Sequence, residues 1–282
     1  MKLSRRAVLN IPLLGCFRAI DAPAQASRAR LPDATGSKFN ADGSARSFPG
    51  NTIISPVPAD SAFWRALTDG HDLLRQGKFS SCLALLPPSS YHMTFFPGVV
   101  DAVRDPYHWP KDLPLDAPLT ECTRLFEEKL RSFDLGCNPP FRFFARSFQW
   151  KAAAPAFQLA PVDAAENKKL RDLRDRLARR LELKKPDHDK YGFHVTTAYL
   201  VRRMTPSQAQ AFASTADECL LRVRKAGLLE LDAPDFCTFQ NLFGFTKVFQ
   251  LRRTGDASET GRGHAVFGPA EVEGRLRRET GA

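Results

Sequence analysis

One short pattern occurs twice in this sequence, and both copies carry groups that move protons. The segments are Ser90-Tyr91-His92-Met93-Thr94-Phe95-Phe96 and Gly192-Phe193-His194-Val195-Thr196-Thr197-Ala198. Each reads as a β-strand, in which side chains alternate between two faces. His92 and Thr94 therefore share one face, and Met93 and Phe95 take the other. His194 and Thr196 do the same against Phe193 and Val195. An imidazole titrates near neutral pH and can give or take a proton. Hydrolysis at phosphorus needs both acts: a base for the attacking water and an acid for the leaving oxygen. A hydroxyl beside each imidazole can donate to non-bridging oxygens as negative charge builds there. Such a site uses neither metal nor cofactor. Zinc is the competing chemistry for two strand histidines, but it needs a third ligand, and threonine is a poor one.

Other residues near the motifs are weaker candidates for holding substrate. Tyr91 and Tyr199 adjoin the two strands and could stack a base or hydrogen-bond a phosphate. Arg142 and Arg146 fall on one face of a strand, where a guanidinium could hold a phosphate bidentately. The basic run from Lys168-Lys169 to Lys184-Lys185 is interleaved with Asp172, Asp175 and Glu182, and reads as a solvated helix face. His71, His108, His188 and His264 have no paired threonine and read as structural or surface residues.

The elements that must position these groups alternate irregularly. Apolar periodicity predicts helices over residues 60–76, 119–133, 165–184 and from Thr205 to about Lys225. Thr205-Pro206-Ser207-Gln208 is a helix start with a threonine cap, a proline at the first position and a glutamine at the third. Strands are expected over Thr52 to Val57, Cys82 to Leu86, Tyr91 to Phe96, Phe141 to Trp150, Phe157 to Val162 and Tyr191 to Val201. Three more fall over Leu228 to Leu231, Phe236 to Phe239 and Thr246 to Leu251. Hairpin-like strand pairs among helices argue for an α+β fold with antiparallel sheets, not a doubly wound parallel sheet. No glycine-rich dinucleotide or phosphate-loop motif is present.

The chain has 282 residues, 43% hydrophobic and 26% charged, which excludes disorder of the whole chain. Its formal net charge of +10 favours anionic partners. Residues 1–26 read as a twin-arginine-type signal peptide: Arg5-Arg6, a short apolar run from Ala7 to Phe17, and Ala24-Gln25-Ala26 as the cleavage site. The run is too short to span a bilayer. The expected location is periplasmic or secreted, with a lipoprotein anchored at Cys16 as a lesser alternative. Residues 27–47 read as an extended lead-in and 253–282 as a loose tail. The six cysteines show no C-x-x-C spacing, so a structural zinc site is not expected.

At the two motifs the sequence resembles the two-histidine (2H) phosphoesterase superfamily, over about residues 48–252. The segments Phe48-Pro49-Gly50-Asn51-Thr52 and Tyr191-Gly192-Phe193-His194-Val195-Thr196 resemble an uncharacterised branch of it. The resemblance implies a bilobal α+β fold of duplicated antiparallel sheets with flanking helices and a pseudo-twofold axis, the motifs facing each other across a cleft. It also implies a cyclic phosphodiesterase acting on a small anionic phosphodiester or an RNA end, expected as a monomer. The alternative is a module that binds a phosphorylated ligand or RNA end without turning it over.

Overall fold

The structure, a computed structural model, describes residues 32–150, 154–253 and 266–267. The expected signal peptide and the Cys16 alternative lie outside the described residues, as does most of the expected C-terminal tail.

The first half begins with strand β1 (Gly50–Pro56), helix α1 (Ala62–Gln76) and the short strand β2 (Leu83–Leu85), and then enters β3 (His92–Phe96). Helix α2 (Leu119–Arg131) follows. The second half holds β4 (Phe141–Gln149), β5 (Ala156–Pro161), α3 (Ala164–Arg180), β6 (His194–Thr196) and β7 (Ala198–Leu200). The chain closes with α4 (Pro206–Lys225), β8 (Leu229–Leu231), β9 (Asp235–Asn241), β10 (Gly244–Gln250) and β11 (Val266–Phe267).

Among the described residues, nine strands form one sheet in the order β11-β10-β9-β1-β3-β6-β5-β4-β8, and β2 pairs with β7 in a second, small sheet. All the strand pairs are antiparallel. The fold is therefore α+β, as the irregular alternation predicts. A strand–helix–motif-strand unit appears twice: β1–α1–β3 and β5–α3–β6, with each motif strand pairing back onto the first strand of its unit. The two units are not held as separate facing sheets. They join edge to edge, through Met93 opposite Val195.

Local sequence explains the helix boundaries. The Ser61 side chain caps α1 by accepting from the Trp64 amide, and Asp163 caps α3 by accepting from Glu166. Thr205 and Gln208 form the capping box of α4 behind Pro206. The apolar stripe of α3 (Leu170, Leu173, Leu177) is wholly buried. It enters one core with Met93, Phe95, Phe157 and Val195 from the sheet.

Three segments differ from expectation. The strand expected from Tyr191 to Val201 breaks at buried Thr197, where the chain passes from the large sheet to the small one. The Thr197 amide donates to the Pro155 carbonyl, and the Leu86 amide donates to that of Thr197, at 3.0 and 2.9 Å. The lead-in over residues 32–47 is not extended. It turns tightly and inserts fully buried Phe39 between the rings of Tyr199 and Phe243, 5.1 and 5.6 Å away. Within the expected tail, Val266–Phe267 adds a strand to β10. The lead-in was misread by weighing its polar composition over a few apolar residues, Phe39 among them.

Candidate active site

Strand alternation and one register pair build the site. Met93 and Val195 oppose each other, and both are fully buried. Their neighbours in sequence must then point to the other face. In an antiparallel pair centred there, His92 lies across from Thr196 and Thr94 across from His194. Direct neighbours of this kind have Cβ atoms about 4.5–5.5 Å apart, and diagonal ones about 7–8 Å. The result is a four-residue quartet with the histidines on one diagonal and the threonines on the other. All four line a single cavity of about 170 Å³. That is several times the roughly 30 Å³ one liquid water occupies, so a phosphate with attached atoms can enter.

Each imidazole is fixed in the same way. His92 Nδ1 contacts the Ser90 carbonyl at 2.7 Å, and His194 Nδ1 contacts the Gly192 carbonyl at 2.8 Å. A carbonyl only accepts, so each Nδ1 carries the proton and donates. Nε2 is left as the working atom on both rings. The acceptor sits two residues before the histidine in both motifs, a symmetry of the backbone that residue types alone do not show.

The surroundings of the two rings are unlike. On the outer side of β3, the partners in β1 are Pro56 for His92 and Ile54 for Thr94. The Phe245 ring from β10 packs edge-on against His92 at 4.4 Å. On the outer side of β6, the partner of His194 is Gln158. Burial among apolar groups pushes the His92 imidazole down to about 4; the bond to the Ser90 carbonyl opposes this, and nearby His194 adds to it.

The cavity wall comprises the turn from Pro97 to Val100, the rings of Phe239 and Phe245, and the polar groups of Asn51, Lys185, Tyr191 and Tyr199. Asn51 is buried and ties this wall together. Its Oδ1 accepts from the Val99 amide, and its Nδ2 donates to Thr123, both at 3.1 Å. Tyr191 stands beside Thr94. Burial drives its phenol up to about 12, against the pull of the Arg174 guanidinium and the Thr94 hydroxyl.

Of the other candidates, Tyr199 lines the cavity. Tyr91 does not: it faces the core, 2% exposed, with its hydroxyl 3.1 Å from His71 Nδ1. The reason is alternation, since the residue before His92 must face away from it. Arg142 pairs with Glu230 at 2.8 Å on the outer strands, and Arg146 is exposed on the same strand. Neither lines the cavity, because β6 and β5 both lie between β4 and β3. Sequence reasoning missed Tyr191 and Lys185. Tyr191 stands three residues before His194 within the motif stretch, a signal that was available; Lys185 was read as part of a solvated basic run.

Among the described residues, the one grouping with metal-ligand spacing is Asp175, His188 and Asp189. It involves neither motif histidine. His188 Nε2 already pairs with Asp175 at 2.8 Å, and Asp189 with Lys184 at 3.0 Å. No described helix is long and apolar enough to cross a membrane.

Comparison with known proteins bears on the fold and the family. Residues 38–153 match the family described as 2H-phosphodiest, a domain of unknown function (DUF1868). The matched span contains the first motif and ends before the second. The crystal structure of a conserved protein of unknown function from Agrobacterium tumefaciens superposes with a TM-score of 0.73 at 28% identity, covering 80% of this chain and 96% of that one. No curated protein matches. The fold and the matched family fit a 2H phosphoesterase-like protein of an uncharacterised branch, and they support a phosphodiesterase-type function in the broad sense.

Proposed function

We propose that this protein is a metal-independent phosphodiesterase that opens a cyclic phosphodiester of the nucleoside or RNA 2′,3′-cyclic phosphate type. The observation that carries this reading is the quartet: two imidazoles with Nδ1 held by backbone carbonyls, each across from a threonine, in one cavity. The phosphate would sit over the quartet, with Thr94 and Thr196 donating to its non-bridging oxygens. His92, kept neutral by its apolar surroundings, accepts the proton of the attacking water at Nε2. The new P–O bond forms as a ring P–O bond breaks, and the leaving oxygen takes a proton from Nε2 of His194, which enters the step as the imidazolium with its Nδ1 proton still held by the Gly192 carbonyl. The products are a phosphomonoester and a free hydroxyl. Each proton transfer is typically worth about 10²–10⁴-fold.

The experiment is turnover of 2′,3′-cyclic nucleotides in EDTA by wild type, His92→Ala and His194→Ala. Losses of roughly 10²-fold or more in each variant are expected. Loss of wild-type activity in EDTA with recovery on adding zinc would reject the metal-free scheme. Losses below about tenfold would reject the assignment of the histidines. Binding of nucleotide phosphates with no turnover across a broad phosphodiester panel would make the cleft a binding module instead.

Export by the twin-arginine route belongs to the same proposal and rests on Arg5-Arg6 and Ala24-Gln25-Ala26. Replacing Arg5-Arg6 by Lys-Lys should leave the precursor in the cytoplasm with residues 1–26 attached.

A further inference from the structure

Three cations beside the quartet have no part in the proton transfers. Arg174 is 2% exposed. Its guanidinium donates to the carbonyls of Phe95 and His188, while its Nε has no hydrogen-bond partner. It stacks 4.0 Å from the centre of the Tyr191 ring, one wall of the cavity. Arg171 donates to the Tyr191 carbonyl at 2.8 Å and lies over the Phe193 ring. Lys185 is half-buried and lines the cavity itself.

Among the described residues, none of these three forms an ion pair with a carboxylate. The neighbours of Arg171 and Arg174 on α3 do: Lys168 with Asp172, and Lys169 with Glu166. The carboxylates whose charge reaches Lys185 are Asp187 and Asp105. Neither offsets burial, which pushes the ammonium down to about 8, with Arg174 adding to the effect. A cation removed from water without an anion is costly to keep. The quartet alone presents two imidazoles and two hydroxyls, which suffice for one phosphate, and Lys185 enters the cavity from a different segment.

Resting on the phosphodiesterase reading of the quartet, we propose that Lys185, backed by Arg174 and Arg171, forms a second anion subsite, so that the cleft takes a substrate with an additional phosphate beside the scissile phosphodiester. Arg174 and Arg171 act as positioning residues through Tyr191. Lys185 touches the ligand. A nucleoside cyclic phosphate with no further charge would leave this subsite unfilled.

The test is calorimetric binding of inorganic phosphate and of pyrophosphate to the full chain, in wild type, Lys185→Gln and Lys185→Arg. Wild type should bind pyrophosphate roughly tenfold or more tightly than phosphate, the size of one charge-assisted hydrogen bond. Lys185→Gln should erase that preference while leaving phosphate affinity within about threefold, and Lys185→Arg should keep it. No preference in wild type, no measurable binding of either anion, or a preference that survives in Lys185→Gln overturns the subsite. An equal loss of both affinities also overturns it, because Lys185 would then hold the scissile phosphate. Turnover by His92→Ala separates the two readings. A pyrophosphate preference that depends on Lys185, with catalysis indifferent to His92, would keep the subsite and reject the acid–base quartet.

Discussion

Met93 and Val195 stand directly opposite each other across β3 and β6, and the shared face of the two His-x-Thr motifs follows from that one pairing. Both side chains are completely buried, so the core contact that joins the two halves also sets the spacing of the quartet on the reverse face. Truncation of Met93 should therefore show in stability and in activity together. Met93→Ala is expected to cost about 2–5 kcal/mol, the range for deleting a large buried apolar side chain. Urea unfolding measures it, and an unchanged midpoint would contradict the packing described.

Acidification gives a second expectation. His92 in the folded chain sits at about 4, against about 6.5 for an unperturbed imidazole. Between these values the unfolded chain binds more protons than the folded one, so stability rises with pH. The contribution is complete above about pH 6.5 and is lost as pH falls towards 4. His92→Asn should lose less stability than wild type between pH 7 and 4.5, read as urea midpoints at each pH. The same value places the base limb of kcat/KM near pH 4, and a His92 ring titrating near 6.5 by NMR would contradict both.

The two tyrosines next to the motifs should behave oppositely. Tyr91→Phe removes a buried bond to His71 and should cost about 1 kcal/mol with turnover unchanged. Tyr191→Phe should leave the fold intact and lower kcat/KM about tenfold, one hydrogen bond at a developing charge. Side-by-side kinetics and thermal melts decide it; equal kinetic losses would place Tyr91 in the cleft after all.

Gly98 is required for closeness, not for turn freedom. A Cβ there would fall 2.2 Å from Asn51 Oδ1 and 2.4 Å from the Asn51 carbonyl oxygen. Asn51 is held by Val99 and Thr123 and has little room to yield. Gly98→Ala should destabilise by roughly 1–3 kcal/mol and raise KM, because the displaced turn is a wall of the cavity. A melt and a KM like those of wild type would show that the turn absorbs the methyl freely.

Strand period made the motif legible: once His-x-Thr reads as a strand, the imidazole and hydroxyl must share a face with the apolar residues behind. Helix caps were equally legible, since Thr205 and Gln208 carry their own hydrogen-bonding instructions. The pairing partner of each strand was not, because nothing local states that β3 meets β6. The unlike settings of His92 and His194 were hidden for the same reason. They depend on Ile54 and Pro56 on one flank and Gln158 on the other. Arg142 and Arg146 were drawn in by their charge; their distance from the cleft is a matter of strand order.

The seam between β3 and β6 also bears on how the chain is made. Synthesis delivers His92 long before His194, so the first half must wait with one side of β3 unpaired. That edge reads His-Met-Thr-Phe-Phe, without a formally charged side chain to discourage pairing with another copy. A chain that stops before residue 194 would carry one imidazole with no opposing partner, beside an exposed edge suited to self-association. Incomplete chains would therefore be lost to aggregation rather than persist, and completing β6 silences that edge in the same step that brings the two imidazoles together.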